Sequence, residues 1–163
     1  MPKIQDLIRE MIRFYAGDPA RIQHFLKVHS FARLIGQCEG LDAETLLTLE
    51  AAAVVHDIGI KPAEQKYGSA SGSLQEQEGP PLAEELLTRL GFDAARTARV
   101  AYLVGHHHTY SSIDGADYQI LVEADFLVNH FEGNSSPAAI GATLHTIFRT
   151  QTGKDICREM FAL

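Results

Sequence analysis

The stretch Ala51-Ala-Ala-Val-Val-His-Asp-Ile-Gly-Ile60 decides how this chain is read. Five small or apolar residues run directly into two adjacent ionisable ones, His56 and Asp57. A solvated surface helix is not built this way, and a plain core helix has no use for such a pair. Buried ionisable groups are unfavourable unless paired, hydrogen-bonded or bound to a metal. An imidazole nitrogen and a carboxylate oxygen are both suited to a divalent ion. The rest of the chain must then supply further donors.

Outward from that stretch the pattern is helical throughout. Apolar residues recur at three- and four-residue spacing, and nothing alternates with period two for long. Ile4, Leu7, Ile8, Met11 and Ile12 mark a first amphipathic helix. Asp18-Pro19 reads as an N-cap followed by proline at the first helical position, opening a helix that runs to about Cys38 and stops at Gly40. Asp42 caps the helix that ends in His56-Asp57. Residues 68 to 80, rich in Gly, Ser, Gln and Pro, read as a loop, with Pro80-Pro81 opening the next helix. Further helices start at Asp93, after Gly115, at Ser136-Pro137 and after Gly153. The expected fold is all-α, a single-domain bundle of about six to eight helices over residues 1–163.

Composition narrows the function classes. The chain has 163 residues, of which 45% are hydrophobic and 21% charged, as in ordinary globular proteins. A net charge of −7 argues against nucleic-acid binding. Cys38 and Cys157 stand apart and read as reduced thiols, not a disulfide framework. No stretch reaches the ~18 uninterrupted apolar residues of a membrane span, and the N-terminus carries charges throughout, so a cytoplasmic location is expected. Between Arg99 and Arg149 there is no Lys or Arg, yet this segment holds Asp114, Asp117, Glu123, Asp125, Glu132 and five of the eight histidines. Such a segment suits a bound cation.

Three helices present inward ionisable groups. His29 shares a face with Ile22, Phe25, Leu26 and Ala32; His56 and Asp57 close a helix with Leu46, Leu49 and Ala53 on its inner side; Asp125 lies inside the apolar run Ile120 to Asn129. One shared metal explains all three, where separate core roles need three explanations.

In order, His29, His56-Asp57 and Asp125 resemble the H…HD…D pattern of the HD superfamily of metal-dependent phosphohydrolases. His56-Asp-Ile-Gly59 resembles the variant with Gly after the HD pair, and Ala124-Asp-Phe-Leu-Val-Asn129 resembles the helix of the last ligand. The likeness covers roughly residues 20 to 130. It implies an HD-type helical bundle in which His29, His56, Asp57 and Asp125 bind a divalent ion: Mn, Fe, Co, Ni, Zn or Mg, one ion or two. Members with two metals add histidines between the HD pair and the last Asp. His106 and His107, in Gly105-His-His-His-Thr-Tyr110, match one addition; at the other, Gln75 stands where His is expected. Glu76 and Glu78 could replace that ligand or serve as a base, and His106 and His107 are further acid–base candidates. Lys61, just beyond the HD pair, and Arg33, one turn after His29, are candidates to hold a substrate phosphate.

The resemblance implies hydrolysis of a phosphomonoester or phosphodiester of a nucleotide or other small metabolite by metal-activated water. Two alternatives stay open: a di-iron HD-fold oxygenase and a non-catalytic metal-binding HD module. The expected partner is a small phosphorylated substrate, with neither nucleic acid nor membrane. The apolar C-terminus, Met160 to Leu163, packs on its own domain or on a second copy, leaving monomer and homodimer open.

Overall fold

The computed structural model describes Pro2 and residues 4–163. Among the described residues there are nine helices and no strand: α1 (Ile4–Phe14), α2 (Pro19–Cys38), α3 (Ala43–Val55), α4 (Ile60–Tyr67), α5 (Gly72–Arg89), α6 (Ala94–Val104), α7 (Ala116–Glu132), α8 (Pro137–Thr146) and α9 (Gln151–Phe161). The caps expected from sequence are in place. The side chains of Asp18, Asp42, Asp93 and Ser136 accept from the amides of Arg21, Thr45, Arg96 and Ala139. Gly40, at φ +74°, ends the turn after α2 in the left-handed region that favours glycine. The final helix starts earlier than Gly153 because Thr150 caps it, accepting from Gly153 N.

The C-terminal end of α3, Ala51 to Val55, is apolar all round, and that defines the bundle. Leu49 and Ala51 to Val55 have no exposed surface, as expected of a helix enclosed on every side. Around it pack α1, α2, α6 and α7. The small side chains of Ala51, Ala52 and Ala53 let these neighbours approach closely. Helix α7 is nearly as enclosed: Ile120, Leu121, Val122, Ala124, Leu127 and Val128 are buried, and with them Glu123 and Asp125. The end of α3 and the middle of α7 therefore meet in the interior, which sets the position of the site.

The one large departure from expectation lies between residues 60 and 80. The turn after Asp57 leads directly into α4, which is the helix beyond the expected six to eight. Residues 72 to 80 are not a loop but the first half of α5, with Pro80 and Pro81 inside it. Local composition argues against a helix here, and tertiary packing overrides it. A Cβ on Gly59 would lie 2.4 Å from the carbonyl oxygen of Gln75 and 2.8 Å from Gly79 N, and a Cβ on Gly79 would lie 2.6 Å from Val104 Cγ1. The HD turn thus crosses α5 backbone to backbone, with α6 against the other side. Glycine at both positions allows the contact, which holds the start of α5 helical despite its poor helix formers.

Candidate metal centre

The sequence leads to His56-Asp57, and the structure puts this pair in the tight turn after α3. The turn is tied down from α1, where the Tyr15 hydroxyl donates to the carbonyl of Asp57 at 2.6 Å. His56 is wholly buried; Asp57 and Asp125 retain only slight exposure. His56 Nε2 lies 3.2 Å from Asp57 Oδ2 and 3.4 Å from Asp125 Oδ1. The fourth donor is His24, not His29. His24 Nε2 lies 3.1 Å from Asp57 Oδ2, 3.2 Å from Asp125 Oδ1 and 3.2 Å from His56 Nε2.

Placing the ligand at His29 fails for a geometric reason. Helices α2 and α3 run antiparallel, with His24 opposite His56 and His29 opposite Glu50, to which its Nε2 is bonded at 2.9 Å. Five residues along α2 are about 7.5 Å of axial rise and about 140° of rotation. His29 therefore sits well back along α3 from the HD turn, on the opposite flank of the buried stripe formed by Phe25, Val28, Ala32 and Ile35. Helical periodicity places both histidines beside that stripe and cannot choose between them. Counting Ile22 and Leu26 as core tips the choice toward His29; in the fold both are only partly buried.

The hydrogen bonds behind the donors set their protonation. His24 Nδ1 lies 2.5 Å from Glu132 Oε1, His56 Nδ1 lies 2.7 Å from the carbonyl of Ala53, and His107 Nδ1 lies 2.9 Å from the carbonyl of Val104. Each partner can only accept, so each Nδ1 carries the proton and donates it. In the neutral rings the Nε2 lone pairs then all point inward, toward one another and toward two carboxylates. Neutral rings leave no proton to satisfy that constellation. Asp125 Oδ1 and His107 Nε2 are buried without a hydrogen-bond partner, although His24 Nε2 and Asp57 Oδ1 lie 3.2 and 3.3 Å away; with neutral rings both atoms of each contact are acceptors. A cation between them resolves the conflict. Ligand bonds of about 2.0–2.2 Å put neighbouring donors about 2.9 to 3.6 Å apart, depending on coordination angle, and the distances of 3.1–3.4 Å fall inside that window. The anchored Nδ1 groups are the outer-shell bonds that metal-ligating histidines require.

Without a metal the cluster must hold protons instead. Burial alone would lower the pKa of His24, but the Asp125 and Asp57 carboxylates beside its Nε2 outweigh it and push the value up to about 10. Burial likewise opposes ionisation of Asp57 and Asp125, yet the adjacent imidazoles hold both carboxylates well below their usual range.

A second group adjoins the first. Asp57 Oδ1 faces His107 Nε2 at 3.3 Å while its Oδ2 faces the first cluster, so the carboxylate is placed to bridge. Asp57, His107 and His108 together offer donor atoms close enough to share an ion. The amide of Gln75, oriented by donation to the carbonyl of Ala70 at 2.7 Å, accepts from His108 Nε2 at 3.0 Å. Gln75 thus does not replace a histidine ligand; it selects the tautomer of His108 and leaves its Nδ1 unprotonated. Burial, reinforced by His107, lowers the pKa of His108 to about 4, so the ring is neutral near pH 7.

The remaining sequence candidates lie elsewhere. His106 stacks on Tyr102, with Nδ1 bonded to the carbonyl of Tyr102, on the surface. Glu76 accepts from His108 N and the Thr109 hydroxyl, holding the turn that carries His107 and His108. Glu78 pairs with Lys66 and Tyr67 at the surface. Lys61 donates to the carbonyl of Phe14 and lies over that ring. Arg33 is largely exposed, 3.8 Å from Glu50. Of these residues only Glu76 touches the second group, as its support.

Neither a family model nor a curated protein matches the sequence. Among solved structures, the crystal structure of a predicted HD superfamily hydrolase from an uncultured Thermotogales bacterium superposes with a TM-score of 0.66 at 28% identity, over 98% of this chain and 83% of that one. The chain is thus similar in its all-helical fold to a predicted HD superfamily hydrolase, and its His24, His56, Asp57 and Asp125 converge at the turn whose sequence resembles the HD motif. No helix among the described residues is long and apolar enough to cross a membrane.

Proposed function

We propose that this protein is a divalent-metal-dependent phosphohydrolase acting on a small phosphate ester, a nucleotide or another phosphorylated metabolite. The observation that carries the reading is the convergence of two inward Nε2 lone pairs and two carboxylates on one buried point. His24, His56, Asp57 and Asp125 would hold the ion, with His107 and His108 beside Asp57 available to a second. The donors are nitrogen and oxygen only: Cys38 is exposed and Cys157 is buried in α9. That set suits Mn, Fe, Co, Ni or Zn, with Mg admissible. When bound, such an ion lowers the pKa of a coordinated water and neutralises charge on a phosphoryl group.

The chain's own residues do the positioning. Glu132 orients His24, Ala53 and Val104 orient His56 and His107, and Gln75 orients His108. A neutral His108 can accept a proton at Nδ1, which makes it a stronger acid–base candidate than the surface residues His106 and Glu78. Tyr110 packs on Phe126, the neighbour of Asp125, yet keeps 39% of its surface exposed, so one ring face is free to contact a substrate base.

The test is a phosphatase and phosphodiesterase panel on protein loaded with Mn, Co, Ni or Mg, with metal content measured in parallel. Metal-dependent release of phosphate, lost in Asp57→Ala together with the metal, supports the reading. Two irons per chain with oxygen uptake and no phosphatase activity would replace it with the oxygenase. A loaded protein inert toward the whole panel would point to a binding module.

A further inference from the structure

The C-terminal cations of this acidic chain are not scattered. His145 at the end of α8, Arg149 in the connection, and Lys154 and Arg158 on α9 line one cleft of 240 Å³, walled otherwise by Gly141, Leu144 and Phe148. No carboxylate lines it. The Arg149 guanidinium donates only to the backbone carbonyls of Phe148 and Thr146. Among the described residues Lys154 makes no ion pair, and Arg158 has only Asp155, at 3.7 Å on its own helix. The nearby buried carboxylate, Glu123, is already saturated by the Thr150 hydroxyl and by the amides of Arg149, Thr150 and Gln119.

This concentration opposes stability. Lys154 and Arg158 stand i, i+4 on one helix face, where like charges repel, with a third and a fourth basic group opposite. In a chain of net charge −7, two cations without a carboxylate partner among the described residues and a third whose one such partner is Asp155, at 3.7 Å, surround one concavity and call for an anion. The cleft is smaller than the ~300 Å³ at which pockets for drug-sized ligands begin. It is concave rather than flat, which suits a compact polyanion better than an acidic protein surface. We propose that the α8–α9 cleft is a binding site for a phosphate or diphosphate group, either free or as the phosphate chain of a larger molecule. It is separate from the metal centre, and the proposal does not depend on the catalytic reading.

The experiment is calorimetric titration of the full-length protein, as isolated, with inorganic phosphate, pyrophosphate and ATP. Two variants disable the cleft in different ways. Lys154→Glu/Arg158→Glu reverses its charge. Gly141→Leu fills it without altering any charge, since a Cβ at Gly141 meets nothing within 4 Å. None of the three positions touches a metal-centre residue, and removing glycine from a helix favours folding. The control, Arg9→Glu/Arg13→Glu, makes the same change in net charge at exposed positions elsewhere. Saturable pyrophosphate binding, weakened about tenfold or more by both cleft variants and little by the control, is the expected result. Equal binding of ATP identifies the phosphate chain of a larger molecule; binding of the inorganic anions alone identifies a free anion. Absence of saturable binding at millimolar pyrophosphate, equal weakening in the control, or full binding by Gly141→Leu would overturn the assignment.

Discussion

Glu132 lies 2.5 Å from the Nδ1 of His24 and accepts its proton, so the last residue of α7 orients a donor contributed by α2. Glu132 in turn accepts from Lys27 at 3.0 Å, completing a relay from the surface to the buried Nε2. Carboxylates in this position raise the basicity of a ligating imidazole and fix its ring. Glu132→Gln should therefore lower metal affinity by roughly 10–100-fold with little loss of fold. Competition with a chromophoric chelator measures it, and unchanged affinity would mean that His24 needs no outer support.

The two histidines of α2 separate cleanly. His24→Ala should leave the purified protein without its full metal complement, whereas His29→Ala should retain it, because His29 is occupied with Glu50. Metal analysis of both variants decides the matter. Retention in His24→Ala and loss in His29→Ala would contradict the site described above.

Protonation ties the metal-free centre to pH. His24 is raised to about 10 in the folded chain, against roughly 6.5 when unfolded. Its folded form binds the proton more tightly, so the stabilisation is fully present below about pH 6.5 and fades as the pH rises through about 10. The urea midpoint of EDTA-treated protein, minus that of His24→Gln, should fall across that window. A flat difference would show that His24 holds no extra proton. Metal loading should release protons over the same range.

Gly59 is a steric requirement of the HD turn. A Cβ there would overlap the carbonyl oxygen of Gln75 at 2.4 Å, backbone that cannot swing aside as a side chain would. Gly59→Ala should destabilise by about 1–3 kcal/mol, the cost of overpacking a close contact, and should also weaken metal binding by displacing Asp57. Urea unfolding checks the first effect and metal analysis the second.

Glu123 is a buried acid with a different duty. It belongs to the acid- and His-rich segment that suggests a metal, but its oxygens pin the start of α9 onto α7 by accepting from Gln119, Arg149 N, Thr150 N and the Thr150 hydroxyl. Glu123→Gln replaces one acceptor by a donor and should cost about 1–3 kcal/mol while leaving metal content unchanged. Loss of metal in this variant would place Glu123 in the centre instead.

The helical fold, the helix caps and the HD turn with Asp125 are legible in the sequence because they rest on local rules. Apolar spacing marks helices, an Asp or Ser before a helix marks its start, and a carboxylate in an apolar run must have a partner. Three matters were decided only in three dimensions. Periodicity sets His24 and His29 on equal flanks of one stripe, and only the antiparallel packing of α2 on α3 shows which reaches the HD turn. Composition makes residues 72 to 80 a loop, and only the close crossing of Gly59 and Gly79 turns them into helix. The triple histidine does not reveal that His106 faces outward while His107 and His108 face Asp57, because the direction of each ring depends on the turn that Glu76 and Tyr118 hold from two other helices. Sequence determines which groups are costly to bury; tertiary packing determines which of them meet.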